Sequence, residues 1–66
     1  MPSDIGTRLR RSREGAGLSM REASKRMGWA SHAPLSLIES GKRSPYVDTV
    51  ERLAAIYKVP LAEVLS

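Results

Sequence analysis

The chain alternates between short stretches in which apolar residues recur at helical spacing and turns marked by glycine, serine or proline. The first stretch has Ser3 or Asp4 as a candidate N-terminal cap and Gly17 as its stop. Along its apolar face lie Ile5, Leu9, either Ser12 or Arg13, and Ala16. This spacing predicts a first helix whose other faces are rich in arginine.

The second stretch opens with the letters SMRE, the S-x-x-E pattern of a capping box. In a capping box, the side chains of the serine and the glutamate each accept a hydrogen bond from the other residue's backbone amide. Gly28 is a suitable stop, because glycine readily adopts the left-handed conformation that ends many helices. The pattern predicts a second helix of roughly two and a half turns.

The third stretch begins at Ser31, a residue type favoured as an N-cap, and extends to Gly41. Its apolar positions are Leu35 and Ile38. With Ser31 as the cap, Pro34 falls at the third helical position, where its missing amide would have no partner within the helix. We therefore predict a helix that starts before this proline.

Two further helices complete the prediction. One runs from about Val47 to Tyr57, with Asp48 near the positive end of its dipole. A short one follows Pro60, since proline is favoured at the first helical position. Neither sustained period-two alternation nor a hairpin turn of the Asn-Gly or Asp-Gly type indicates a strand. Five short helices with short connections predict a compact all-α bundle.

The predicted core combines the apolar faces of these helices: Ile5, Leu9, Leu18, Ala23, Met27, Leu35, Ile38, Val50, Leu53, Ala54, Tyr57, Leu61, Val64 and Leu65. Trp29 is the largest apolar residue of the chain. It is interpreted as a structural residue that covers the junction of the second and third helices beside the small Ala23. The alternative is that Trp29 is an exposed contact.

Length and composition exclude several classes of function. Sixty-six residues predict one domain, which buries only about 60% of the surface of its unfolded chain. The chain has no cysteine, and its single histidine, His32, cannot form a metal site alone. The acidic residues are scattered among arginines without a paired constellation, so an enzyme is not expected. We predict no metal, no cofactor and no small-molecule ligand.

The distribution of hydropathy and charge indicates the partner. No apolar run approaches the roughly 20 residues that cross a bilayer, so we expect a soluble, cytoplasmic protein without a membrane partner. Residues 1–43 carry nine Lys and Arg against four Asp and Glu, a net charge of +5. Residues 44–66 carry two against three, a net charge of −1. Clustered positive charge favours a polyanion such as nucleic acid, although it also serves solubility.

Three segments together resemble the Cro/C1-type helix-turn-helix domain, also called the XRE family, over almost the whole chain: GLSMREASKRMG, LSLIESGKRSP and DTVERLAAIYKVPLAEVL. The resemblance implies a lambda-repressor-like bundle of five helices. Residues 20–27 would form the positioning helix and residues 32–40 the recognition helix, which enters the major groove of double-stranded DNA. The expected protein is a transcriptional regulator that binds a palindromic operator as a homodimer.

The same resemblance implies roles for individual residues. The residues at base edges would be Ser31, His32, Ala33, Ser36 and Leu37, and those near phosphates Arg10, Ser19, Met20, Ser40, Lys42 and Arg43. Arg13 and Glu39 match a buried ion pair that ties the first helix to the third. An apolar surface for homodimer pairing is offered by Tyr46, Val47, Tyr57, Lys58 and Val59, although these could be ordinary core residues.

Three departures from the family pattern concern the recognition helix and its support. Met20 replaces the usual Gln, Ala23-Ser24 replaces the usual Leu-Ala, and the chain is one residue longer around positions 29–30. An alternative function is therefore a protein-interaction or coactivator module that keeps the fold without reading bases.

The proposed base-reading positions are mostly small or apolar. Ala33 and Leu37 can pack on thymine methyl groups, while His32 and Ser36 can form hydrogen bonds with base edges. This composition predicts modest base discrimination with dominant phosphate contacts and a share of shape readout. Whether His32 reads a base or only occupies an exposed helix start is equally open.

Overall fold

The computed structural model describes residues 5–65 and contains five helices: α1 (Ile5–Gly15), α2 (Met20–Met27), α3 (Ala33–Glu39), α4 (Val47–Tyr57) and α5 (Leu61–Leu65). No strand occurs within residues 5–65. The predicted all-α architecture of five helices is confirmed. The candidate caps Ser3 and Asp4 lie outside the described residues.

All five helices contribute to one core. Helix α1 packs against α3, α4 and α5, while α4 also contacts α2 and α5. The buried hydrophobic residues are Leu9, Ala23, Met27, Leu35, Ile38, Val50, Leu53, Ala54, Tyr57 and Val64. All of them belong to the predicted core. Ile5, Leu18 and Leu61 are half-buried and pack against it.

Two positions on the predicted apolar faces are exposed. The prediction of Leu65 as a core residue is wrong, because its exposed fraction is 51%. In the short helix α5, Val64 points to the core and Leu65 follows about 100° further around the helix. Ala16 is exposed and lies just beyond the end of α1 at Gly15. Of the two alternatives for the apolar face of α1, Arg13 is buried and Ser12 is half-buried.

Both ends of α2 follow the sequence prediction. The Ser19 hydroxyl accepts a hydrogen bond from the Glu22 amide at 3.0 Å, and the Glu22 carboxylate accepts one from the Ser19 amide at 2.9 Å. The hydrogen bond that the Ser19 amide donates to the carboxylate is the largest cause that lowers the pKa of Glu22, and the Ser19 side chain lowers it further. At the other end Gly28 has a φ of 83°, and the Trp29 amide donates back to the Ser24 carbonyl at 3.0 Å. Helix α2 is therefore closed at both termini.

The start of α3 differs from the prediction. His32, not Ser31, is the N-cap residue, and its side chain forms no capping hydrogen bond. The Ser31 hydroxyl instead accepts a bond from the Ala33 amide at 3.3 Å. Since residues 30–32 bend before the helix begins, Pro34 lies at the second helical position rather than the third. The proline still falls where its missing amide has no partner to lose.

Candidate functional site

A buried ion pair joins α1 to α3. The Arg13 guanidinium donates from Nε to Glu39 Oε2 at 2.8 Å and from Nη2 to Glu39 Oε1 at 3.1 Å. Its Nη1 donates to the Leu18 carbonyl oxygen at 2.8 Å. The exposed fractions of the Arg13 and Glu39 side chains are only 9% and 4%. Two parallel charge-assisted bonds in this fork geometry fix the orientation of α3 on α1.

The charges of this pair and its burial shift the pKa values of Arg13 and of the neighbouring Tyr57. The hydrogen bonding that Arg13 donates to Glu39 raises the pKa of Arg13 above its ordinary value. Nearby, burial and then the negative charge of Glu39 raise the pKa of Tyr57 to about 12. The Tyr57 hydroxyl is buried and has no hydrogen-bond partner among the described residues. The tyrosine is therefore held in its neutral form beside a charged pair.

The two helices also approach closely at Gly6. A Cβ atom at this position would collide with the Ile38 carbonyl oxygen and lie 3.0 Å from the Glu39 carbonyl oxygen. Only glycine leaves room for the backbone of α3 at this distance. The close approach gives a physical reason for the Ile-Gly sequence at the start of α1.

The residues implied at base edges lie together at the start of α3 and on its free face, the side of the helix that does not pack on the core. Ser31, His32 and Ala33 are exposed at its N-terminal end. Ser36 and Leu37 are half-buried and follow Ala33 by three and four positions, which places all three on one helical face. The opposite face carries the buried Leu35 and Ile38. The structure thus leaves this set accessible and contiguous.

Three of the six residues implied near phosphates line a common depression. It has a volume of about 210 Å³ and is lined by Arg10, Arg13, Met20, Ser36, Glu39 and Ser40. Arg10 forms an exposed ion pair with Glu14 at 3.3 Å. The depression therefore brings an arginine from α1 next to the free face of α3.

The remaining phosphate candidates lie elsewhere. Ser19 is exposed, but its hydroxyl caps α2. Lys42 and Arg43 are exposed just beyond Gly41, where the chain leaves α3. Both amides donate to the Leu37 carbonyl oxygen, so the backbone of this turn is ordered by α3 itself. Neither side chain has a hydrogen-bond or ion-pair partner among residues 5–65, so both can contact an anion.

Met20 occupies the position where the family pattern has Gln. Its side chain is half-buried and packs against the core. A thioether is at most a weak hydrogen-bond acceptor and cannot donate to a phosphate. The residue therefore acts mainly as packing between α2 and the rest of the bundle.

One residue that positions α2 was missed by the sequence reasoning. Arg52 of α4 donates from Nη2 to the Met27 carbonyl oxygen at 2.9 Å. The bond ties the C-terminal end of α2 to α4 and satisfies a carbonyl that has no partner in its own helix. No local pattern signals it, because the two residues are 25 positions apart.

The candidates for homodimer pairing divide into two groups. Tyr46 and Val47 have exposed fractions of 80% and 66%. Lys58 is exposed and Val59 is half-buried. Tyr57 is only 3% exposed, so its assignment to a pairing surface is wrong. It lies on the buried face of α4 with Val50, Leu53 and Ala54, and it belongs to the core.

Two structural observations concern other kinds of site. Within residues 5–65, no group of three or more potential ligand side chains is placed to hold a metal ion. None of the helices described here combines the length and apolarity that crossing a membrane requires.

Comparison with known proteins identifies the family. The family described as "Helix-turn-helix domain" matches residues 4–66. Over 61 residues the chain is 38% identical to the HTH-type transcriptional regulator PuuR of Escherichia coli (strain K12), covering 92% of this chain and 32% of PuuR. The PuuR protein of Shigella flexneri gives the same values. The chain thus spans about a third of the length of these curated relatives.

A solved structure agrees with these relatives. The crystal structure of SinR, described as the master regulator for biofilm formation, in complex with DNA superposes with a TM-score of 0.85. The match has 28% sequence identity and covers 96% of this chain and 100% of the SinR chain. Family match, relatives and fold agree, and the chain belongs to the helix-turn-helix domain family in its Cro/C1-type (XRE) form.

Proposed function

We propose that this domain binds double-stranded DNA and regulates transcription, with α2 as the positioning helix and α3 as the recognition helix in the major groove. The observation that carries the proposal is the accessible face of α3, whose opposite side is locked to α1 by the Arg13–Glu39 pair. PuuR is named a transcriptional regulator, and SinR was solved in complex with DNA. Both facts support the same role here.

Base reading would fall to the small set at the start and on the free face of α3. Ala33 and Leu37 offer apolar contacts for thymine methyl groups, whereas His32 and Ser36 offer hydrogen bonds. The exposure of His32 supports a contact. We expect His32→Ala to weaken operator binding by about 1–3 kcal/mol and binding to random DNA very little. An equal loss on both would assign His32 no part in base reading.

Phosphate contacts would supply most of the affinity. Arg10, Lys42 and Arg43 are exposed cations beside or beyond α3. Each phosphate neutralised changes the slope of log K against log salt by about 0.9, so Arg43→Ala should flatten that slope by this amount. If the slope for Arg43→Ala equals that of the wild type, Arg43 does not contact the phosphate backbone of the DNA.

The regulator is proposed to act as a homodimer on a palindromic operator. Tyr46 and Val47 are large, strongly exposed apolar residues, as expected for a pairing surface. Two recognition helices would then meet half-sites about 34 Å apart. In sedimentation experiments the double variant Tyr46→Ser with Val47→Ser should be monomeric at concentrations where the wild type is dimeric. Dimerisation of both proteins to the same extent would move the interface elsewhere.

The test of the whole proposal is selection of duplex DNA from a random pool, followed by affinity measurements across a salt series. A palindromic winner, bound about 10³-fold or more above random DNA and with a steep salt slope, is the expected result. No enrichment and no salt-dependent binding would contradict it.

A protein-interaction or coactivator module is the second candidate. The packing of Met20 into the core and the apolar side chain of Leu37 on the free face favour it. Absence of DNA binding would direct the search to protein partners.

A further inference from the structure

A second depression, larger than the one at Arg10, lies between α2 and the turn that leads into α3. Its volume is about 360 Å³, and its lining includes Arg21, Ser24, Lys25, Trp29, Ser31 and His32. We propose that this α2 cleft binds a further segment of the sugar-phosphate backbone of the DNA. The inference rests on the proposed function and assigns backbone contacts to Arg21 and Lys25, which the family resemblance does not.

The charge of the cleft matches a phosphate. Arg21 and Lys25 stand four positions apart on α2, so their side chains are neighbours on one face of the helix. Both are exposed, and neither is paired with a carboxylate among the described residues. No acidic residue lines the cleft. Two unpaired cations at one rim form a local positive field that a polyanion would neutralise.

An independent observation comes from Ser24. This residue lines the cleft and is 2% exposed, yet its hydroxyl has no hydrogen-bond partner among the described residues. Nearly all buried polar groups in proteins are paired, so this unpaired hydroxyl is an exception that a purely structural role does not explain. It adds a polar group beside the two cations of the cleft.

The remaining lining fits the sugar. Trp29 is half-buried and supplies an apolar wall against which deoxyribose carbons can pack. Ser31 and His32 line the same cleft and are also the proposed base readers at the start of α3. A DNA strand whose bases contact Ser31 and His32 would therefore continue with its sugar-phosphate backbone in the cleft. The depression at Arg10 and Ser40 meets α3 further along the helix, so the two would hold different backbone segments.

Measurement of the salt dependence of operator binding tests this proposal with the full chain. Arg21→Ala and Lys25→Ala should each flatten the slope of log K against log salt by about 0.9. Arg26→Ala is the matched control, because Arg26 is an exposed cation on the same helix that does not line the cleft. This control should leave the slope unchanged. Equal flattening by all three variants would overturn the proposal in favour of diffuse attraction.

A second measurement locates the contact on the DNA. Single phosphates of the operator are replaced, one at a time, by neutral methylphosphonates. Some replacement should weaken wild-type binding but have no further effect on the Arg21→Ala and Lys25→Ala proteins, while still weakening the Arg26→Ala protein. Trp29 is the single tryptophan of the chain, so its emission should change when the duplex binds. If no replacement depends on Arg21 or Lys25, the proposal is overturned.

The outcomes separate this proposal from the proposed function. A flattened slope for Arg43→Ala, with slopes of the Arg21 and Lys25 variants like the wild type, would sustain DNA binding and reject the cleft. Absence of salt-dependent binding by the wild type would reject both. A response of Trp29 emission to inorganic phosphate alone, lost in Lys25→Ala without any effect on DNA binding, would identify a small-anion site instead.

Discussion

The two junctions that hold α3 are built differently. On the α1 side, the helix is fixed by a bidentate buried ion pair and by a backbone approach that admits only Gly6. On the α2 side, the chain bends through residues 30–32, and His32 caps the helix without a side-chain bond. The hydroxyl of Ser24 is unpaired beside an open cleft. One junction is tightly determined and the other is loosely held.

Because the two junctions differ, one half of α3 is held in a fixed position and the other half can adjust. The C-terminal half of α3, which carries Ile38 and Glu39, is fixed in the bundle and sets where the helix lies. The N-terminal end, with Ser31, His32 and Ala33, is supported mainly by a turn. Regions with few buried contacts open at the lowest free energy. We therefore expect the end that would meet the bases to adjust to DNA on a firmly placed helix.

The largest expected effect is on the α1 side. Removing either member of the Arg13–Glu39 pair leaves a buried charge alone, which costs about 3–5 kcal/mol. For a domain of this size, we expect Arg13→Met or Glu39→Gln to lower the melting temperature by well over 10 °C, measured by circular dichroism. Glu14→Gln is the control, since it breaks an exposed pair with Arg10 and should shift the melting temperature by a degree or two. Equally small shifts of the melting temperature would show that the buried pair and the exposed pair contribute the same to stability.

The next effect concerns the close approach at Gly6. Gly6→Ala places a Cβ against backbone carbonyl oxygens that cannot rotate aside, so it should lower the free energy of unfolding by about 2–3 kcal/mol. Gly15→Ala is the control, because Gly15 ends the same helix and has open space around it. That change should leave stability unchanged or raise it slightly. Chemical denaturation of both variants measures the difference, and a harmless Gly6→Ala would contradict the tight packing of this junction.

A third prediction uses Tyr57, which lies beside the ion pair. Because its pKa is raised to about 12 in the fold, stability from the neutral hydroxyl is fully present below pH 10 and is lost as pH rises from 10 through 12. The loss should be on the order of 2 kcal/mol. Tyr57→Phe should show a smaller loss over this range, while Tyr46→Phe, at an 80% exposed site, should behave as the wild type. The free energy of unfolding is measured by denaturation at several pH values. If all three proteins lose it equally, ionisation of Tyr57 is not the cause of the loss.

The contrast between the junctions also explains what the sequence could predict. Helix spacing, the capping box at Ser19 and the resemblance were sufficient for all five helices and for the buried core. The start of α3 was misplaced by one residue, because Ser31 satisfies the local preference for an N-cap while the bend at residues 30–32 shifts the helix.

Long-range features were the hardest to predict. The Arg52 bond to the Met27 carbonyl and the unpaired hydroxyl of Ser24 both depend on how helices pack, and no local pattern encodes them. Tyr57 belongs both to the predicted core and to the candidates for pairing, and its burial on the inward face of α4 decides for the core. Sequence reasoning therefore succeeds where the signal lies within one helix or in the family pattern, as for Arg13 and Glu39. It fails where only the packing of distant helices decides the environment of a side chain.

The smallest expected effect tests the α2 side. The buried hydroxyl of Ser24 has no described partner, and removing an unsatisfied polar group from a buried site avoids a penalty of about 1–3 kcal/mol. Since Ala has nearly the same shape, we expect Ser24→Ala to raise the free energy of unfolding by about 1 kcal/mol in the absence of DNA. Ser19→Ala, on the same side of the molecule, should lower it by about 1 kcal/mol because it removes the cap of α2.

Opposite signs for these two serine variants, measured by chemical denaturation, would show that the α2 side keeps an unsatisfied polar group at the cleft while its helix end is satisfied. If Ser24→Ala instead lowers stability by as much as Ser19→Ala, the hydroxyl has a partner in the free protein. The α2 junction would then be as fully bonded as the α1 junction, and the contrast between a fixed half and an adaptable half of α3 would no longer rest on hydrogen bonding.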